Sequence, residues 1–272
     1  MMSHAAVRAT TIVLLLTVCR VPAAAQQRDP EPLFSTSDAA WAAAFLAGTA
    51  ALAPLDRYFA DRLQDPRSQE NRFLRNTASG FRVLGHPGAV VAITGMYAIG
   101  RLSENDGLAA VALHAGAALA LAEGVTYFGK VVAGRARPRI DPDTPFDFGL
   151  FRGLDDDYRS LPSGHASAAF AVAAALTSEA GIRRPSDQWW IGTLLYSSAA
   201  LVGVSRMYNN EHWASDVVLG AAIGTFSGWK VVRYTDTRPG NDLDGLFLEV
   251  VIRPGAGMGV TILPRAWSPL AH

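Results

Sequence analysis

Apolar residues gather along this chain into long stretches separated by polar connections. Runs free of Asp, Glu, Lys and Arg cover 39–55, 83–100, 108–122, 160–178, 188–205 and 217–229. They are rich in Ala and Leu, which favour helix over strand, and lengths above about a dozen residues point the same way. The pattern predicts five or six helices and an all-α core, a compact bundle. None of the charge-free runs reaches the roughly 20 apolar residues of a membrane span. Several also carry Gly, Ser, Thr or His, so they read as helices of a tightly packed soluble or peripheral bundle. The tail changes period: 246–252 and 258–263 are apolar and β-branched around Arg253-Pro254-Gly255, which predicts a small C-terminal β-hairpin.

The first residues follow another pattern. His4 and Arg8 precede an apolar run from Ala9 to Cys19, and Ala23, Ala24 and Ala25 offer small residues for cleavage, the layout of a secretory signal peptide. The expected organisation is a signal peptide over 1–25, a helical domain over 26–237 and a tail with the hairpin over 238–272. The protein is then exported and periplasmic, or embedded in the inner membrane with its site facing the periplasm. Cys19 is the single cysteine, so a mature chain has no disulfide, thiolate metal site or cysteine nucleophile. A formal net charge of zero gives no electrostatic ground for a nucleic-acid partner. With 50% hydrophobic and 18% charged residues, a disordered chain is excluded.

Candidate chemistry sits in three segments. In the third, Ser205-Arg206 is followed by His212 and Asp216. A His and an Asp four apart share a face if both are helical. The carboxylate can then accept one imidazole proton and leave the other nitrogen free to attack, while Arg206 offers a bidentate fork for phosphate oxygens. In the second, Pro162-Ser163-Gly164-His165 opens a helix. Ser163 suits an N-cap, Gly164 lets an anion approach the backbone, and the helix N-terminus favours negative charge. His165 at its edge can protonate a leaving alkoxide, and Arg159 just upstream adds positive charge. In the first, Lys130 ends a helix and Arg137-Pro138 follows a turn at Gly134. Of the 24 basic residues only Lys130 and Lys230 are lysines, so a compact point charge is expected to matter at position 130. The connection 135–161 is too long to be a mere link, and loops of that length are usually functional or disordered.

In order and spacing the set resembles the three-part signature of the type-2 phosphatidic acid phosphatase superfamily, which includes bacterial nonspecific acid phosphatases and vanadium haloperoxidases. Every fixed position matches between Lys130 and Asp216. The resemblance implies an all-helical core of the acid phosphatase/haloperoxidase type and a metal-independent phosphatase, with neither metal nor other cofactor. It implies that Lys130, Arg137, Ser163, Gly164 and Arg206 bind the phosphoryl group, His212 is the nucleophile, Asp216 its partner and His165 the acid. The substrate expected is a phosphorylated lipid or diphosphate, or a small phosphate ester. The competing readings are a vanadate-dependent haloperoxidase and a non-catalytic phospholipid-binding membrane protein. Arg135, His86, His114 and Lys230 have no counterpart in the signature, and His114 reads as a packed core histidine.

Overall fold

The computed structural model describes residues 34–248, 250–254 and 260–264; the expected signal peptide lies outside them. The helices are α1 (Thr36–Leu52), α2 (Asp56–Gln64), α3 (Pro66–Glu70), α4 (Arg72–Leu102), α5 (Asp106–Ala133), α6 (Gly164–Arg183), α7 (Gln188–Tyr208), α8 (Ala214–Thr237) and α9 (Asp242–Leu248). All six charge-free runs lie wholly or mainly in helices, so the predicted all-α core is found. The hairpin follows it, β1 (Val250–Pro254) pairing antiparallel with β2 (Val260–Pro264). Its first strand begins later than expected, because 246–248 close α9 instead.

The helices outrun the charge-free runs that predicted them. α4 has 31 residues and α5 has 28, about 46 and 42 Å at 1.5 Å per residue. Three stretches, Thr36–Gln64, Arg72–Leu102 and Asp106–Ala133, are long and apolar enough to cross a membrane. This supports the membrane-embedded alternative over the soluble or peripheral bundle. Counting residues between charges undercounts a helix whose charges sit near its ends or face a polar site. α4 continues through Arg72, Arg75, Arg82 and Arg101, and α5 through Glu123 and Lys130. The outward faces fit: Val83, Leu84, Val91 and Leu102 on α4 and Leu121, Val125 and Phe128 on α5 are exposed, more apolar surface than water-facing helices present.

α6 is the central helix and touches α4, α5, α7 and α8. Its buried face is almost wholly alanine, including Ala168, Ala171, Ala174 and Ala175. α8 meets it with Gly220, Gly224 and Gly228, spaced four apart. A Cβ on Gly224 would stand 2.2 Å from the Ser167 carbonyl oxygen, and one on Gly220 would stand 2.4 Å from that of Ser163. Small residues at this spacing let two backbones approach closely. The close approach joins the two site-bearing ends, where the Ser163 amide donates to the Asp216 carbonyl at 2.9 Å.

Candidate active site

α5 runs out at Gly134, which takes φ 52° as the C-cap; its missing Cβ would lie 1.9 Å from the Gly149 carbonyl oxygen. The chain then forms the long connection to α6, with short 3₁₀ turns at Arg152–Leu154 and Asp156–Tyr158. Backbone bonds tie this loop to itself: Ala136 to Asp147 at 3.0 Å, Arg137 to Asp157 at 2.9 Å and Ser160 to Arg135 at 3.1 Å. The loop therefore serves as a wall for the site. Lys130, at the last turn of α5, donates to the Arg159 carbonyl at 2.7 Å. The Arg159 guanidinium itself lies over the Tyr127 ring, 5.2 Å from its centre.

His212 is buried in the connection between α7 and α8, just before the helix. Its Nδ1 is 2.7 Å from the Ser160 carbonyl oxygen. A carbonyl only accepts, so Nδ1 carries the proton and Nε2 keeps its lone pair whenever the ring is neutral. Burial, with the nearby Lys130 and Arg137 charges, holds the imidazole down at about 3, although Asp216 opposes the shift. The ring is therefore neutral at ordinary pH.

Asp216 stands differently from the sequence expectation. His212 precedes α8, whose N-cap is Trp213, so the two side chains do not share a helix face. Asp216 Oδ2 lies 3.9 Å from His212 Nδ1, beyond hydrogen-bond reach. It accepts instead from the Trp213 amide at 2.9 Å and from the Ser160 hydroxyl, so it positions the residue whose carbonyl holds His212. Its other oxygen accepts from Arg135 at 2.6 Å. Arg135 also donates to Asp56 at 2.7 Å, to the Ser215 hydroxyl at 2.8 Å and to the Pro145 carbonyl. Phe148 and Trp213 lie 5.1 and 5.5 Å from its guanidinium. This buried Asp56–Arg135–Asp216 chain was missed in the sequence. Asp56 reads there as one more surface charge at the start of a polar stretch, and no local signal places it against residues 159 positions away.

The cations surround His165, in the first turn of α6. Burial, then Arg206, His86, Lys130 and Arg137, push its imidazole down to about 3. Ser163 is the N-cap by position, yet its hydroxyl makes no cap bond. That buried hydroxyl has no partner among the described residues, and neither have Nε and Nη1 of Arg206. A Cβ on Gly164 would sit 3.7 Å from Lys130 Cε, so the glycine opens space in front of the ammonium. Arg137 is bonded to Glu211 and, at 2.9 Å, to Asp156; Arg206 Nη2 is 3.9 Å from the same Glu211 carboxylate. All eight residues picked out in the sequence thus gather at one end of the bundle. Buried donors, clustered cations and a neutral imidazole with a free nitrogen together suit a tetrahedral oxyanion facing a nucleophile.

Residues 111–239 match the family model described as the PAP2 superfamily. The stretch that carries the site is of PAP2 type. Every motif position described above falls within this PAP2 stretch. A curated relative, the lipid A 1-phosphatase of Porphyromonas gingivalis, is 42% identical over 83 residues, 30% of this chain. The alignment spans only 18% of that relative's length. Among solved structures, a transmembrane PAP2-type phosphatidylglycerolphosphate phosphatase from Bacillus subtilis is similar at 21% identity, covering 72% of this chain and 94% of that one with a TM-score of 0.49. Aquifex aeolicus LpxE is similar at 22% identity, covering 64% and 92% with a TM-score of 0.47.

Proposed function

We propose that this protein is a membrane-embedded, metal-independent phosphatase that hydrolyses lipid phosphomonoesters through a phosphohistidine on His212. The observation that carries the reading is the group of buried donors on Ser163 and Arg206 that lack partners among the described residues, set beside a neutral His212 whose Nδ1 proton is committed to Ser160. Buried polar groups are nearly always paired, and a phosphoryl group pairs these. In the first step Nε2 attacks phosphorus, the bond to the ester oxygen breaks, and the departing alkoxide takes a proton from His165. Water then attacks the phosphoimidazole, giving its proton to His165, and the N–P bond breaks to release inorganic phosphate. Lys130, Arg137 and Arg206 balance the phosphoryl charge without a metal. Asp216, 3.9 Å from Nδ1, stabilises the cationic phosphoimidazole through space. The lipid substrate class is supported by the relative's name and by the apolar helices around the site. The periplasm is the compartment proposed.

The test is phosphate release from dispersed lipid phosphates by the full chain in detergent. Activity should persist in excess chelator, be inhibited by vanadate, and leave a trapped phosphoryl label on His212. Loss in chelator with recovery in magnesium sinks the metal-independent reading; a label elsewhere sinks the nucleophile.

A further inference from the structure

His86 and Glu123 stand beside His165 and occupy no motif position. α4 is pressed against the site where Gly85 leaves room: a Cβ there would lie 3.0 Å from His165 Cδ2 and 2.9 Å from Val202 Cγ1. The next residue, His86, thereby reaches the same place, its ring centre 6.3 Å from that of His165. From α5, Glu123 arrives two turns before Lys130 on the same face. A Cβ on Gly164 would lie 3.9 Å from both Glu123 carboxylate oxygens, so the carboxylate flanks the phosphate cradle. His86 Nε2 is 3.9 Å from Glu123 Oε1, and the two side chains are 46% and 32% exposed. Oε1 itself is shielded and has no hydrogen-bond partner among the described residues.

We infer that Glu123, with His86 beside it, forms a leaving-group subsite. It selects phosphomonoesters whose departing alcohol carries a neighbouring hydroxyl or amide N–H, and it disfavours diphosphates. This rests on the phosphatase reading above. In-line displacement sets the departing oxygen opposite the nucleophile, here beside His165, so the polar groups next to His165 meet the alcohol. A carboxylate only accepts hydrogen bonds, so the partly exposed Glu123 carboxylate there reads a donor. The same negative charge repels a second phosphate, which a diphosphate substrate would have to place in this position. A carboxylate present only to temper the Lys130 charge would need neither the open face nor the adjoining histidine.

The experiment compares kcat/KM of the full chain in detergent for dodecyl phosphate, 2-hydroxydodecyl phosphate and dodecyl diphosphate. A site that bonds a substrate hydroxyl rejects the analogue lacking it, so wild type should favour the hydroxylated ester by roughly tenfold or more. Glu123→Gln, nearly isosteric, and Glu123→Ala should bring that ratio towards one, and raise diphosphate relative to monophosphate use by roughly tenfold. His86→Asn should move both ratios in the same direction by less. A wild type inert towards all three esters overturns the phosphatase reading and this inference with it. Wild-type activity with ratios that E123Q and H86N leave unchanged overturns the leaving-group subsite alone.

Discussion

Arg135 is a charge that the proposed chemistry never touches, yet it holds Asp56 and Asp216 together in the interior. Removing one partner of a buried ion pair leaves the other uncompensated, at about 3–5 kcal/mol. Arg135→Met should therefore melt well below wild type in detergent, by roughly 10 °C; an unchanged midpoint would show that the chain of charges adds nothing. Arg135→Lys should rescue only part, since one ammonium cannot bridge both carboxylates as a planar fork does. The two site histidines contribute a pH dependence of their own. Both are held at about 3 against an ordinary 6.5. Between those values the unfolded chain binds protons that the folded chain refuses, so this contribution to stability is present above 6.5 and is lost as pH falls towards 3. The double variant His165→Asn/His212→Asn should melt with a flatter pH slope across that window. His165 also has to gain its proton before it can act as the acid. A bound dianion offsets Arg206 and Lys130, so ligand binding should draw a proton onto the imidazole. Calorimetric titration with vanadate in buffers of different ionisation enthalpy should show proton uptake that His165→Asn removes.

Among the elements, the contact between α6 and α8 decides where the site residues meet. Ala-rich and Gly-rich runs were legible as helices, because composition and length speak directly to local structure. Which glycines face a neighbour was not legible, since that depends on the helix beside them. Gly224→Ala should lower both yield and activity, because its Cβ would press 2.2 Å from the Ser167 carbonyl oxygen and the helices must part. Gly95→Ala should be close to neutral in both measurements, having nothing within 4 Å. His114 shows the same limit at another position. Read as a packed core histidine, it is bonded to Glu179 and, at 2.9 Å, to Asp244. It thus fastens α9 to the bundle, helped by the bond from the Tyr97 hydroxyl to the Phe247 carbonyl at 2.7 Å. Lys230, equally unassigned by sequence, pairs with Asp38 and joins α8 to α1.

For the whole molecule, the long apolar helices favour membrane embedding over a soluble or peripheral bundle. The protein should stay in the membrane pellet after alkaline carbonate washing and enter solution only with detergent; recovery in the wash supernatant would return it to the periphery. The sequence by itself pointed to the long helices, the hairpin and the eight residues that gather at one end of the bundle. Composition sets local conformation, and a spaced set of Lys, Arg, Ser, Gly, His and Asp carries its chemistry in its order. Tertiary structure alone decided that the Ser160 carbonyl, and not Asp216, fixes the His212 tautomer, and that Asp56 reaches Ser215 across 159 positions. It alone brought Glu123 and His86 beside His165. Those choices depend on distances between segments remote in the chain, set by how closely small residues let the helices approach.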